Sequence, residues 1–552
     1  MMNILIDKIR IVMEKAIKKL NLKGDILIER PKLIQNADFA TNFALINSKL
    51  NTKNPIELAE LIVNEIKNNE IFENVEFIKP GFINFRINNS LLNQVVEKII
   101  NEKDNFGKSK KKNKKYNLEI VSANPTGYLH VGHARNGAIG DSVARTLRFA
   151  GYDVETEYYV NDAGNQINVS AATLFYHYKK MQGLNVDKPE EMYGGEMYKE
   201  VATLFIEEYK DKFKDISIVN NKINNEEVNN LFKQKSIIFF MNEIKNQMSN
   251  LGVTIQHYSS EAKMYENDSI NKIIKKYKEL GATYEKDDAL WLKTTEFGDD
   301  KDRVLKKTDG SFTYITPDIA SHSNRIDRTK ADKYINFWGG DHHGYITRLK
   351  AGLALLGYDF NLIDIDMIQM VRLMKDGQEF KMSKRKGTAV WLIDLLEMVG
   401  KDCIRYMLVS KTPSSHMDFD LDLALEKNST NPVYYAQYAT ARSNKIISSF
   451  KKLKLEINNS ILFESQKEKE IIILLDSFNS IVEYSASSRL PNIICDFIQT
   501  LAKSFHSYYA ETKILDEQNI NLTNQRVLLI KSIYQVLSNA FNLIGIDVKD
   551  DM

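Results

Sequence analysis

The chain is 552 residues long and carries 75 Lys and Arg against 73 Asp and Glu, a formal charge of +2, with 43% hydrophobic, 27% charged and 10% aromatic residues. That length excludes a peptide or a one-domain binder and allows roughly three or four domains, each with its own core. The near balance of charge excludes a global field for gathering a polyanion, so any nucleic-acid site is a local patch.

Two cysteines, Cys403 and Cys495, are too few for a disulfide framework or a four-thiolate zinc site, and the expected setting is the reducing cytoplasm. The opening MMNILIDKIRIVMEKAIKKL sets Asp7 and Glu14 among its apolar positions and has no small-residue cleavage site, which predicts an amphipathic helix rather than a signal peptide. The longest aliphatic run, Ile471 to Leu475, is far below the roughly 20 residues of a bilayer span, so no membrane partner is expected.

Residues 1–106 read as a small α+β module. It has the opening helix, a strand around ILIER, a helix capped by Asn54 with Pro55 first, and a hairpin in NVEFIKPGFINFRIN that turns at Pro80-Gly81. Residues 107–115 hold the lysine-rich KSKKKNKK, which reads either as a solvated linker or as an arm that meets phosphates.

From 116 to 412 strands alternate with helices: NLEIVSA running to Ala123, a helix through His133 to Phe149, DVETEYYV, and ADKYINFWGG before a helix to Leu356. The alternation predicts an α/β fold, a Rossmann-like parallel sheet with crossover helices, and a peripheral helical insertion over about 175–250. After Pro413 the strand signals stop, and helical patterns starting near Pro432, Ser465, Pro491 and Thr523 predict a bundle over 413–552. This part has 14 Lys and Arg against 17 Asp and Glu, alongside 14 Phe and Tyr. If it binds nucleic acid, aromatic stacking on unpaired bases contributes more than charge.

Two stretches carry chemistry. In VSANPTGYLHVGHARN a strand runs through a Pro and Gly loop into a helix near His130, where unpaired N–H groups favour a phosphate. His130 and His133 share one face of the first turn, and Gly132 between them offers close approach to a flat ring. Two histidines satisfied at a helix start is the structural alternative. In MVRLMKDGQEFKMSKRKG a strand and an Asp376-Gly377 turn lead to Lys381-Met382-Ser383-Lys384, a basic loop that can meet the charge building on a leaving pyrophosphate, or else a solvated hairpin.

HVGH followed 248 residues later by KMSK resembles the paired signatures of class I aminoacyl-tRNA synthetases. SANPTGYLHVGHARN, DGSFTYITPDIA, WGGDHHGY, KMSKRKG, HMDFDLDLA and NPVYYAQYA together are similar to arginyl-tRNA synthetases of the bacterial type, over essentially the whole chain. The resemblance implies ATP, with Mg2+ on its phosphates, at His130, Gly132, His133, Lys381, Met382, Ser383 and Lys384. Of these, His130, His133, Lys381 and Lys384 would be catalytic, and no structural metal is implied.

It also implies L-arginine at Ser122, Asn124, Glu261, Tyr314, Asp318 and His342, with Glu119 a weaker candidate. A guanidinium is planar, always charged and donor-only, so its pocket needs carboxylates, and Glu261 and Asp318 are the expected pair. TPD also reads as a helix start with Thr316 as cap and Pro317 first, where Asp318 is favoured by the helix dipole, a role compatible with the pocket. Asp341-His342-His343 hints at a metal, yet the triplet reads as a strand end entering a helix beside the nucleotide crevice.

For arginine tRNA the resemblance implies contacts from Phe82 and Asn84 at the D-loop corner, and from Tyr435, Tyr438 and the tail through Met552 at the anticodon. Phe82 on an alternating strand also fits a core. A monomer is expected. A small-cofactor nucleotidyltransferase, a noncatalytic tRNA-binding relative and a synthetase for another amino acid are the competing readings. The last is discriminated by the two-carboxylate pocket, the second by the complete HVGH and KMSK.

Overall fold

The computed structural model describes residues 3–31, 37–380, 390–450, 463 and 465–552, with side chains throughout except at 341–343. In the N-terminal module α1 (Ile4–Lys19) buries Leu5, Ile9 and Met13. The strand β1 (Phe39–Thr41) precedes α2 (Pro55–Ile66), whose cap is as read: Asn54 Oδ1 accepts from Ile56 N at 2.9 Å with Pro55 first. The predicted hairpin is β2 (Phe72–Ile78) and β3 (Phe82–Ile87), and the antiparallel sheet has the order β1-β3-β2. ILIER is not a strand: only Glu29 pairs, with Ala40, and Pro31 has no N–H to continue a ladder.

Beyond α3 (Ser90–Glu102) the lysine-rich stretch lies pinned along the next domain. Ser109 N and Lys112 N donate to Phe149 O and Gly151 O at 3.0 and 2.8 Å, and Lys112 Nζ pairs with Glu483. Lys108, Lys110, Lys111 and Lys114 face solvent.

The central sheet is built by β4 (Lys115–Glu119), β5 (Asp153–Val160), β6 (His257–Ser260), β7 (Lys333–Gly339) and β8 (Ile363–Ile368), all parallel in the order β8-β7-β4-β5-β6. The helix α4 (Val131–Phe149) crosses from β4 to β5. The expected strand to Ala123 stops at Glu119, because Val121 and Ser122 take φ of 69° and 45° and turn the chain out of the sheet plane. Between β5 and β6 lie α5 (Asn165–Met181), α6 (Met197–Tyr209) and α7 (Glu226–Asn250), packed on an aromatic core of Phe175, Tyr178, Phe205 and Phe232. After a small antiparallel sheet come α8 (Ile315–Thr329), β7, α9 (Ile346–Ala354) and β8.

A second parallel pair, β9 (Val371–Lys375) with β10 (Met417–Asp420), corrects the expectation that strands end at Pro413. β10 alternates buried Met417 and Phe419 with exposed Asp418 and Asp420, but four residues are too few for a clear period. Between these strands α10 (Lys401–Val409) packs on α4. Among the described residues the bundle has five helices rather than four: α11 (Pro432–Ser449), α12 (Gln466–Asp476), α13 (Phe478–Ser488), α14 (Asn492–Glu511) and α15 (Ile520–Ile544). Ser477 separates α12 from α13. By length and composition α15 could cross a membrane, but 72% of its apolar window is buried against α3, α4, α11 and α14.

Candidate active site

The carboxyl ends of β4 and β7 open on a cleft of about 920 Å³. Ligands collect at such strand ends, where loops diverge and a helix begins. One wall is the turn from β4 to α4, held in its left-handed backbone by Asn136, which accepts from Val121 N at 2.8 Å and donates to Phe337 O at 2.8 Å. A β-branched residue at positive φ is costly, and two long-range hydrogen bonds over-determine it here.

His130 caps α4. Its Nδ1 accepts from Gly132 N at 3.0 Å, while His133 Nδ1 accepts from His130 N at 3.3 Å, and the two rings stack at 3.7 Å. Both Nδ1 atoms being acceptors, each neutral ring carries its proton on Nε2. Desolvation by the cleft walls lowers the pKa of His130, and burial with His130 alongside brings His133 to about 3. At neutral pH the pair is two uncharged donors. Gly132 is needed by the pair itself, since a Cβ there would meet His130 Cε1 at 2.9 Å.

The insertion is not merely peripheral. Gln247 on α7 accepts from Leu129 N at 3.1 Å, Tyr198 on α6 donates to Thr126 O at 2.8 Å, and Met197 Sδ accepts from Tyr128 N at 3.4 Å, so it backs the turn before His130.

The opposite wall is β9 and the residues before it, Gln369 and Met370. Lys381, Met382, Ser383 and Lys384 lie outside the described residues, but both flanks do not: Phe380 and Val390 line the cleft. Phe380 N donates to Leu373 O at 2.7 Å, and Leu392 N donates to Leu129 O at 2.7 Å, next to His130.

The polar end collects carboxylates. Glu119 accepts from Ser122 Oγ at 3.1 Å and pairs with Arg325 Nη1 at 3.0 Å, so its charge is answered within the protein. Ser122 Oγ also accepts from Tyr159 N at 3.0 Å. Asp318 has no cation among the described residues; Tyr345 OH donates to it at 2.6 Å. Burial, together with Glu261 and Glu119 nearby, raises its pKa to about 7, and burial raises that of Glu261. Glu261 stands against Tyr159 behind the lining, and Tyr159 OH, buried, has no hydrogen bond of good geometry. Two carboxylates raised above their ordinary values, both mainly by desolvation, with Asp162 adding to the rise at Glu261 and Glu261 and Glu119 to that at Asp318, form a receptor for a cation.

Asn124 bonds Gln166 at 3.0 Å at the rim, and Tyr314 stands at the mouth, 86% exposed. His342 belongs to the Gly340–Tyr345 turn of 3-10 helix, and its side chain lies outside the described set. Motif reading missed Tyr159, Tyr345 and His322, which line the cleft, and Arg325, which pairs with Glu119. Tyr345 does end the quoted WGGDHHGY, three residues past the His342 that drew attention.

Far from the cleft, Phe82 is 41% exposed at the start of β3, whereas Asn84 is buried in the same strand. Tyr435 and Tyr438 flank His506 at 4.5 and 5.9 Å, and Arg442 lies over Tyr438 at 4.5 Å. Met552 is exposed.

This arrangement, a parallel sheet with the HVGH turn at the end of its central strand, is that of a class I aminoacyl-tRNA synthetase, and a family model described as "tRNA synthetases class I (R), catalytic domain" matches residues 95–450. Models described as "Arginyl tRNA synthetase N terminal domain" and "DALR anticodon binding domain" match 4–87 and 436–552. The chain is 51% identical to an arginine--tRNA ligase of Mesoplasma florum, covering 98% of each, and 40% identical to that of Ureaplasma parvum serovar 3, covering 99% of each. Among solved structures, a putative arginyl-tRNA synthetase from Campylobacter jejuni is 32% identical with a TM-score of 0.76, over 84% of this chain and 100% of that one. The Thermus thermophilus arginyl-tRNA synthetase shares the fold at 20% identity and a TM-score of 0.76, over 99% of this chain and all of its own. The chain belongs to the arginyl-tRNA synthetase family.

Proposed function

We propose that the cleft activates L-arginine with ATP and passes the arginyl group to the 3'-terminal adenosine of arginine tRNA. The observation that carries the specificity is the pair Glu261 and Asp318, two carboxylates with no cation among the described residues, beside a third, Glu119, that already has one. A guanidinium supplies the missing charge and a planar set of donors; a neutral or acidic side chain leaves both carboxylates unanswered. Tyr314 shapes the mouth, and Ser122, Asn124 and His342 hold the α-amino and carboxylate end.

In the first step the arginine carboxylate attacks the α-phosphorus, and pyrophosphate leaves. In the second, a ribose hydroxyl of the terminal adenosine attacks the acyl carbon, and AMP leaves. Neither step needs a protein nucleophile, so catalysis is positioning and charge stabilisation. Magnesium enters with the phosphates of ATP as part of the substrate. His130 and His133 present Nε2–H to phosphate oxygens over Gly132, and Lys381 and Lys384, with Met382 and Ser383 between them, meet the departing pyrophosphate.

In this reading residues 1–106 contact the tRNA corner, with Phe82 available for stacking and Asn84 reached only if the strand's surroundings open. Residues 107–115 link them to the catalytic part at 116–412, and 413–552 receive the anticodon through Tyr435, Tyr438 and the tail to Met552. The enzyme acts as a monomer in the cytoplasm. Pyrophosphate exchange with each of the twenty amino acids, with and without total tRNA, tests the assignment: exchange with arginine alone, rising when tRNA is added, is expected. Exchange with another amino acid discards the guanidinium pocket.

A further inference from the structure

Arg135 sits on α4 two residues beyond His133 and is fully buried. Its guanidinium reaches three backbone carbonyls on the far wall of the cleft: Nη1 donates to Gln369 O and to Ser415 O, both at 2.8 Å, and Nη2 donates to Thr412 O at 3.0 Å. Nε is buried without a hydrogen-bond partner, and the bonds of the group among the described residues are all to carbonyls. A buried cation satisfied by carbonyls alone is expensive. Desolvation brings its pKa down to about 10.

The three carbonyls are well placed. Gln369 lines the cleft directly before β9, and its N–H donates to Pro413 O at 3.0 Å; Thr412 and Ser415 form the turn that delivers β10 to the side of β9. β9 runs through the Asp376-Gly377 turn to Phe380 and the Lys381–Lys384 segment. A single planar fork therefore spans the helix that begins with His130 and His133 and the base of the strand that leads to the lysines.

We propose that Arg135 is a positioning residue for adenylate formation, fixing the HVGH turn against the strand that carries the KMSK segment. The inference rests on the roles given above to His130, His133, Lys381 and Lys384. Only the first step uses both walls at once, with histidines on the α-phosphate side and lysines on the leaving pyrophosphate. The second step has no pyrophosphate to stabilise. A lysine at 135 keeps charge but reaches fewer carbonyls, and a methionine keeps volume but loses every donor.

The test compares the two steps in Arg135→Lys and Arg135→Met. Activation is read by tRNA-supported pyrophosphate exchange, and transfer by a single turnover from chemically supplied arginyl-adenylate to tRNA, with urea unfolding of each variant beside them. Activation is expected to fall by about a hundredfold, as for a misplacement on the order of 1 Å. The KM for arginine and the transfer rate are expected to stay within about threefold of the parent. Unchanged activation in Arg135→Lys, or activation and transfer falling together in step with lost stability, overturns the proposal. Should Arg135→Met not fold, Arg135→Lys alone decides. A parent enzyme that exchanges with another amino acid defeats the arginine reading, while the same ratio of steps, measured with that amino acid, still judges Arg135.

Discussion

Asp318 reaches a pKa of about 7 because burial disfavours its charge and Glu261 and Glu119 add to the effect, against the hydrogen bond from Tyr345. In the proposed site its ionised form would receive the guanidinium, which stays charged throughout the working range. Affinity for arginine is therefore full above pH 7 and falls as pH drops through it; kcat/KM for arginine should decline about tenfold between pH 8 and pH 6. Asp318→Asn should be both weak and flat over that range, and a parent profile without the slope would remove Asp318 from contact with the cation. His133, its pKa lowered to about 3 by burial with His130 alongside, is already neutral across these pH values and adds no slope. His133→Ala should lower turnover by about a hundredfold with little change in the KM for arginine. The placing of His130 and His133 on one helical turn was legible from local spacing, whereas Asp318 was singled out only through the resemblance carried by YITPD, and its helix begins at Ile315 rather than at the Thr316 cap that TPD suggests. Arg325 was not, because its partner Glu119 lies 206 residues away and only the sheet brings them together.

Whole elements are joined by groups that no local pattern announces. The first N–H groups of α1, those of Ile4 and Leu5, donate at 2.9 Å to Asp476 at the end of α12. The carboxylate of one domain thus caps the helix of another, and burial pushes its pKa up to about 6, with Lys98 and the two N–H groups opposing and Asp7 adding to the rise. The folded value lies above the unfolded value of about 3.9. Ionised Asp476 therefore costs stability at neutral pH, a cost relieved as pH falls through 6 toward 4. Relative to Asp476→Asn, the parent should gain about 1 kcal/mol between pH 7.5 and pH 5. Urea unfolding at both values checks this, and parallel pH curves would show that Asp476 titrates normally. The Asn54-Pro55 cap and the hairpin at Pro80-Gly81 could be read because their determinants sit within a few residues. The break at Ser477, the short β10 and the turned backbone at Val121 and Ser122 could not, since each is fixed by packing from elsewhere.

At the scale of the whole molecule one buried cluster ties the bundle to α4, the helix that begins with the HVGH turn. Arg405 on α10 is fully buried and makes five bonds: Nε to Ile544 O at 2.7 Å, Nη1 to Leu251 O and Gly252 O at 3.2 Å each, and Nη2 to Asp141 Oδ2 at 2.7 Å and Ser142 Oγ at 3.3 Å. Asp141, halfway along α4, also holds Arg145 at 2.6 Å, and Arg145 reaches Asn542 O at 3.2 Å near the end of α15. Helix α4, the insertion's end, α10 and the last helix of the bundle are thus joined through Arg405 and Arg145, which share the Asp141 carboxylate. Asp141→Ala leaves the Arg405 guanidinium buried without its counter-charge, and the expected loss is about 3–5 kcal/mol. Removing the exposed partner in Lys19–Glu65, a surface pair at 2.7 Å, should cost under about 1 kcal/mol. Gly545→Ala attacks the cluster from the other side: its Cβ would stand 2.4 Å from the Arg405 guanidinium, at φ of 71°. It should destabilise strongly in the parent and less once Arg405 has been shortened to Ala, because the clash is with that side chain. Urea unfolding of the four members of the Gly545–Arg405 cycle measures this, and simple additivity of the two losses would show that Gly545 matters for its backbone alone.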